Sequence, residues 1–167
     1  MISNQSVIEM QNVLQRRLQQ RFPDIQVYQG YSKNQYFGIL EKPILCLLVK
    51  QITVEKLGFG NYVGTFLEQG NWQHWSGDSG MIEFQFQLYF PNTQPYLDAN
   101  QIFLELCQEL SQITEWEFQN YTCGELEFIK QIQCFRLLIT AQAKVLLTNL
   151  ETYAPITEIE LQTNVVV

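Results

Sequence analysis

The sequence predicts an α+β domain: an antiparallel-rich sheet of about four to six strands with two helices packed on it, followed by a C-terminal extended arm. Three observations carry this. Two segments repeat apolar residues at helical spacing, two others alternate apolar and polar residues over about ten residues or more, and they occur in the order helix, strands, helix, strands. No internal repeat and no linker divides the 167 residues. Residues 1–148 therefore read as one α+β domain and residues 149–167 as the arm.

The first element is a helix. Ser6 and Glu9 have the spacing of a capping box, and Val7, Met10, Val13, Leu14 and Leu18 follow on one face. Pro23 ends it by Arg21 or Phe22, because the residue before a proline is disfavoured in the helical region. Its polar face carries Arg16, Arg17 and Arg21, either a solvated face or a contact for an acidic neighbour. Ile25 and Val27 then alternate ahead of Gly30, the pattern of a short strand, and a second short strand is expected over 36–40. Between Pro43 and Gly58 a solid apolar run passes into the alternation of Ile52 and Val54, so one long strand is expected over Ile44–Lys56, buried at its start and half exposed at its end.

Six glycines between Gly58 and Gly80 predict a loop-rich hairpin region with one strand over 63–68. Residues 81–90 form the clearest strand: Ile82, Phe84, Phe86, Leu88 and Phe90 share one face, while Glu83, Gln85 and Gln87 share the other. A second helix follows, capped by Asp98 with Gln101 and striped by Ile102, Phe103, Leu106, Cys107 and Leu110. Trp116 and Phe118 alternate, Cys123-Gly124 marks a turn or bulge, and Leu126 and Phe128 alternate again. From Phe135 to Leu147 every second residue is apolar, a long strand in spite of its alanine-rich centre. After Asn149 the pattern loosens. Ile156, Ile159, Leu161 and the closing valines suit strand addition to another chain or an edge strand of this one.

Composition excludes several functions. Asp+Glu 17 against Lys+Arg 10 gives a net charge of −7, which argues against a basic, sequence-specific nucleic-acid platform. One histidine leaves little for general acid–base work, and a lone His is a poor zinc site. No cofactor or metal is expected. The longest apolar run, residues 44–49, is far short of the roughly 20 residues that span a bilayer, and no signal peptide is recognisable, so synthesis in the cytoplasm and no membrane partner are expected. The four cysteines form no Cys-x-x-Cys pair and read as buried thiols. Glutamine stands at some twenty positions: uncharged polar surface of a kind that packs against copies of itself.

Gly77-Asp78-Ser79-Gly80 reproduces the residues around a serine protease nucleophile. His74 lies only five residues upstream, however, and Met81 follows where glycine is expected, so a turn is the better reading and no enzyme is expected. Trp72, His74 and Trp75 form an aromatic cluster on the loop 71–80, suited to a protein contact or, alternatively, to a glycan- or peptide-binding module.

KPILCLLVKQITVEKLGFGNYVG resembles a long strand leading into a glycine-rich loop in bacteriophage tail terminator and tail completion proteins, the family found in phages, prophages and phage-tail-like bacteriocins. MIEFQFQLYFP is similar to that family's alternating strand ending in Pro, FLELCQEL to its following helix, and CGELEFIKQIQCFRLLITAQAKVLLT to its closing strands. Together they cover roughly residues 43–148. The resemblance implies a structural subunit that forms a ring, usually a hexamer, on the last ring of the tail tube, ends polymerisation and prepares the joining surface for the head-tail connector or collar. Another head-tail connector or tube component is the alternative within the same class. It implies itself and the tail tube protein as partners, with sheath as a further neighbour in a contractile particle, and assembly in the bacterial host cytoplasm into a virion or tail-like particle. No catalytic residue comes with it. Under this reading the expected contacts are Leu57, Phe59, Asn61 and Tyr62 in the glycine-rich loop, Trp72, His74 and Trp75 in the aromatic loop, Gln85 and Gln87 on the polar strand face, and Ile156, Ile159 and Leu161 in the arm. The acidic balance, multiplied around a ring, would repel DNA from a lumen.

Overall fold

A computed structural model describes residues 7–30, 40–56, 62–68, 71–92, 99–114 and 116–151. Eight elements run in the order α1 (Val7–Arg21), β1 (Gln26–Gln29), β2 (Ile44–Lys56), β3 (Tyr62–Glu68), β4 (Asn71–Pro91), α2 (Ala99–Ser111), β5 (Glu117–Ile129) and β6 (Cys134–Glu151). This is the expected α+β class. The six strands make one sheet in the order β1-β2-β4-β6-β5, with β3 also paired to β4; β1 and β2 are parallel and all other pairs antiparallel.

The trunk of the sheet is the β4–β6 pair, in register from His74↔Glu151 to Pro91↔Cys134 without a shift. Alternation along both strands sends Ile82, Phe84, Phe86, Leu88 and Phe90 of β4, and Leu137, Ile139, Ala141, Ala143 and Val145 of β6, to one face. There they meet Leu14 and Leu18 of α1 and Leu106 and Leu110 of α2 in the main core. The small side chains of Ala141 and Ala143 stand opposite Phe84 and Ile82, the large-against-small arrangement that close packing needs. That explains an alanine-rich centre inside a strand. Trp116, Phe118 and Phe84 close one end of this core through tilted and edge-on ring contacts.

The two helices are antiparallel and clamped by ion pairs, Arg17 to Glu109 at 3.7 Å and Arg21 to Glu105 at 3.2 Å. Two of the helical arginines thus find their acidic neighbour within the chain, on α2. Ser6 and Asp98, the expected caps, and the strand expected over 36–40, apart from Leu40, lie outside the described residues. Gly30 ends β1 with φ +70°, a left-handed conformation that favours glycine.

Two expectations are corrected. The loop expected over 71–80 is strand: β4 begins at Asn71, and Gly77, Asp78, Ser79 and Gly80 sit inside it, each paired to β6, so they make no turn. Their low strand propensity is overridden because β6 pairs with all four and β2 also pairs with Asp78, Ser79 and Gly80, supplying the ladder hydrogen bonds. The second concerns the arm. β6 runs to Glu151, so residues 149–151 belong to the sheet, and residues 152–167 lie outside the described residues.

Candidate assembly surface

β4 is 21 residues long, a contour of about 70 Å at roughly 3.3 Å per residue. Among the residues whose burial is described, the apolar core reaches as far as Ile82 on β4 and Val145 on β6. Beyond it, among the described residues, no helix residue joins the core cluster against the sheet. β2 occupies one flank of β4 from Tyr89 to Asp78, and β3 takes over the same flank from Ser76 to Asn71, while β6 holds the other flank. β2 and β3 are therefore collinear, two pieces of one edge separated by residues 57–61.

A bulge at Lys50 shifts the parity of β2, since Val49 faces Phe84 while Gln51 faces Glu83. Without it Ile52 and Val54 would point away from the helix side. With it, Ile52 stands opposite Ile82, Val54 opposite Gly80, Tyr62 opposite position 76 and Leu67 opposite position 72, all on the helix-side face. They are 47%, 51%, 57% and 60% exposed. The result is an apolar stripe, interrupted by Lys56 and Thr65 opposite positions 78 and 74 of the same face, that runs for about 33 Å past the end of the core. The sequence shows each of these residues; it does not show that a bulge aligns them.

The opposite face mixes polar residues with a second, smaller apolar cluster of Leu40, Ile44, Cys46, Tyr89 and Cys134. Gln85 and Gln87 lie on it as the alternation predicts, but Gln87 is only 3% exposed. Its Nε2 donates to Gln85 Oε1 at 3.0 Å, and the Tyr89 hydroxyl donates to Gln87 Oε1 at 2.7 Å. Gln87 is thus engaged within its own chain and offers almost no surface. Arg136 continues this row: Glu127, at 2.6 Å, raises the guanidinium pKa, with a smaller contribution from Tyr89. Nearer the helix-free end, a half-open hollow of about 550 Å³ is lined by Thr53, Glu55, Lys56, Ser79, Met81, Glu117, Gln119 and Lys144. Its acids and lysines offset one another, and it holds no nucleophile–base pair. His74 and Ser79, five residues apart on one extended strand, are separated by roughly 16 Å along the backbone, too far for proton transfer.

Of the other expected contacts, Tyr62 belongs to the stripe, and Trp72, His74 and Trp75 are strand positions paired with Leu67, Thr65 and Gly64. Leu57, Phe59, Asn61, Ile156, Ile159 and Leu161 lie outside the described residues. Among the described residues no three metal-ligating side chains converge, and no helix is long and apolar enough to cross a membrane. The four cysteines are free thiols, but only Cys46 and Cys134 are buried as expected; Cys107 and Cys123 are half-buried. Burial pushes the Cys46 thiol up to about 11, and so removes its nucleophilic form at neutral pH.

Two solved tube terminators share this α+β fold. The chain is similar over 99% of its length to the sheath/tube terminator of an extracellular contractile injection system (PVC) in its extended state, at 12% identity and a TM-score of 0.51. It is similar over 96% of its length to the tube-terminating cap of the anti-feeding prophage (AFP), at 12% identity and a TM-score of 0.54. It spans 66% and 63% of those two chains. No family model and no curated protein matches.

Proposed function

We propose that the protein is a structural, non-enzymatic subunit of a phage or phage-like tail that caps the tail tube as a ring. In this reading the ring is a hexamer. It ends tube polymerisation, offers the joining surface for head or collar, and touches sheath where the tail is contractile. The observation that carries the reading is the likeness of fold, over nearly the whole chain, to two tube terminators, one of them from a contractile injection system. The helix-free sheet extension supports it, because its apolar stripe on Ile52, Val54, Tyr62 and Leu67 is a surface that a subunit interface would cover.

The contacts assigned to this surface are the stripe, Leu57, Phe59 and Asn61 between its two halves, and Trp72, His74 and Trp75 on the adjoining strand. The arm, with Ile156, Ile159 and Leu161, is assigned to sheath. Light scattering of the purified chain, alone and with tail tubes, tests the reading. The expected mass is several multiples of 19.6 kDa, and tubes grown in its presence stop at limited length. A chain that stays monomeric in both settings and leaves tube growth unchanged sinks it. Truncation after Glu151 keeps β6 whole and tests the arm separately: unchanged docking on sheath would remove that role.

A further inference from the structure

The four thiols fall into two unlike pairs. Cys46 and Cys134 are buried in the smaller apolar cluster. Cys46 stands opposite Gln87 and Cys134 opposite Pro91, levels separated by about 13 Å along β4. A disulfide spans roughly 7 Å at most between Cα atoms, so these two cannot join. Cys107 on α2 and Cys123 on β5 are both half-buried.

Helix geometry brings the second pair together. The buried stripe of α2 is Ile102, Leu106 and Leu110. Glu105 and Glu109 lie on one flank of that stripe, where they reach Arg21 and Arg17 of α1. At about 100° per residue, Phe103 and Cys107 fall on the other flank, away from α1, and Phe103 packs against the main core from there. On the sheet, β5 lies beyond β6. Cys123 is opposite Ile139, a core residue of the helix side, and Tyr121 and Cys123 pack against that same core. Helix α2 is in contact with β5, so the flank that carries Cys107 lies over the strand face that carries Cys123. Electrostatics agree with this placement. Burial raises both thiols above their ordinary pKa, and the charge of Cys123 raises Cys107 further, as Cys107 in turn raises the Tyr121 hydroxyl.

We infer that Cys107 and Cys123 form a reversible disulfide that fastens α2 to β5. The oxidant is a small disulfide, with oxidised glutathione as the probe. One protein thiol gives up its proton and attacks a sulfur of the oxidant, whose S–S bond breaks and releases one glutathione thiolate. The other protein thiol, also deprotonated, attacks the protein sulfur of that mixed disulfide and expels the second glutathione thiolate. Two protein thiols thereby lose two electrons and two protons, which the oxidant takes up as two glutathione thiols. A reducing medium reverses the exchange. The register shift between Cys123 and Leu126 interrupts the ladder just beyond Cys123, so the strand can adjust there to admit the bond. The bond closes a loop of about 16 residues and so restricts the unfolded chain.

Peptide mapping tests this. The full chain is incubated with oxidised glutathione, alkylated in denaturant and mapped by mass spectrometry, with Cys107→Ser and Cys123→Ser as controls. The expected result is one link within the chain, Cys107 to Cys123, with Cys46 and Cys134 alkylated. The Tm rises by roughly 5–10 °C on oxidation and returns with dithiothreitol. Neither control forms the link or gains in Tm. Free thiols at both positions, mixed disulfides that persist there, or a bond joining two copies on a non-reducing gel overturn the inference. A link without a rise in Tm also overturns it, because the bond would then not hold α2 to β5. These outcomes are the same whether or not the chain forms a ring.

Discussion

Asn120 has φ 55°, in the left-handed region, at the first bulge of β5, where Gln119 faces Gln142 and Thr122 faces Thr140. Asparagine tolerates this conformation and a β-branched residue does not, at a cost of about 1–2 kcal/mol. Asn120→Val is expected to lower the unfolding free energy measured in urea by that amount, and Asn120→Gly to leave it nearly unchanged. Cys46 gives a pH prediction. Its thiol is raised from 9.0 to about 11 by burial, so below pH 9 folded and unfolded states are both neutral and the stability is fully present. As pH rises from 9 to 11 the unfolded state ionises first, and roughly 2–3 kcal/mol is lost. Urea titrations of the protein and of Cys46→Ala should show a steeper alkaline loss in the unsubstituted chain; equal slopes would mean that the thiol does not titrate differently on folding. Sequence alone identifies Cys46 as a small apolar residue in a strand. It does not reveal Asn120, because a bulge is a mismatch between two strands and exists only once they are paired.

At the scale of elements, α1 does two jobs. Its apolar stripe of Met10, Leu14 and Leu18 packs into the core, while Gln15 and Gln19 act on β1 as a neighbouring strand would. Gln19→Ala removes both of its bonds to the β1 backbone and is expected to cost about 1–3 kcal/mol. Hydrogen exchange at the Val27 amide should accelerate by more than that at the β4–β6 amides; equal acceleration throughout would show a global loss rather than an uncovered edge. The helix itself is legible from its period, and so is its stop at Pro23. The role of its glutamines is not, because one helical position can face solvent or a strand edge, and only the packing of α1 beside β1 selects between them. Helix α2 shows the same limit: the i,i+4 spacing of Glu105 and Glu109 does not say what they touch, and tertiary packing makes them the partners of Arg21 and Arg17.

At the scale of the whole molecule, a two-sided division emerges. One half of the sheet is covered by α1 and α2 and holds the fold; the other half extends past them and carries the exposed stripe. Substitutions in the stripe should separate stability from assembly. Ile52→Ser and Leu67→Ser are expected to change the unfolding free energy by no more than about 0.5 kcal/mol, as surface changes do, yet to weaken association measured by sedimentation. A large stability loss would place these residues in the core instead. With a net charge of −7 on each copy, association should also strengthen as ionic strength rises from about 0.01 to 0.15 M, because salt screens repulsion between like-charged subunits. Sedimentation at the two salt concentrations checks this.

The sequence by itself determined the class of fold, both helices, the limits of β2 and the buried face of β4 and β6. These follow from residue periods of 3.6 and 2, which any local stretch of chain displays. Tertiary structure alone decided that residues 71–80 are strand, that β3 continues the line of β2, and that the Lys50 bulge puts Ile52 and Val54 on the same face as Tyr62 and Leu67. It also decided that Gln87 is enclosed. The physical reason is common to all four: a strand takes its hydrogen bonds from partners distant in sequence. A glycine-rich stretch between two such partners becomes sheet, and a shift of one residue in their register moves every later side chain to the other face.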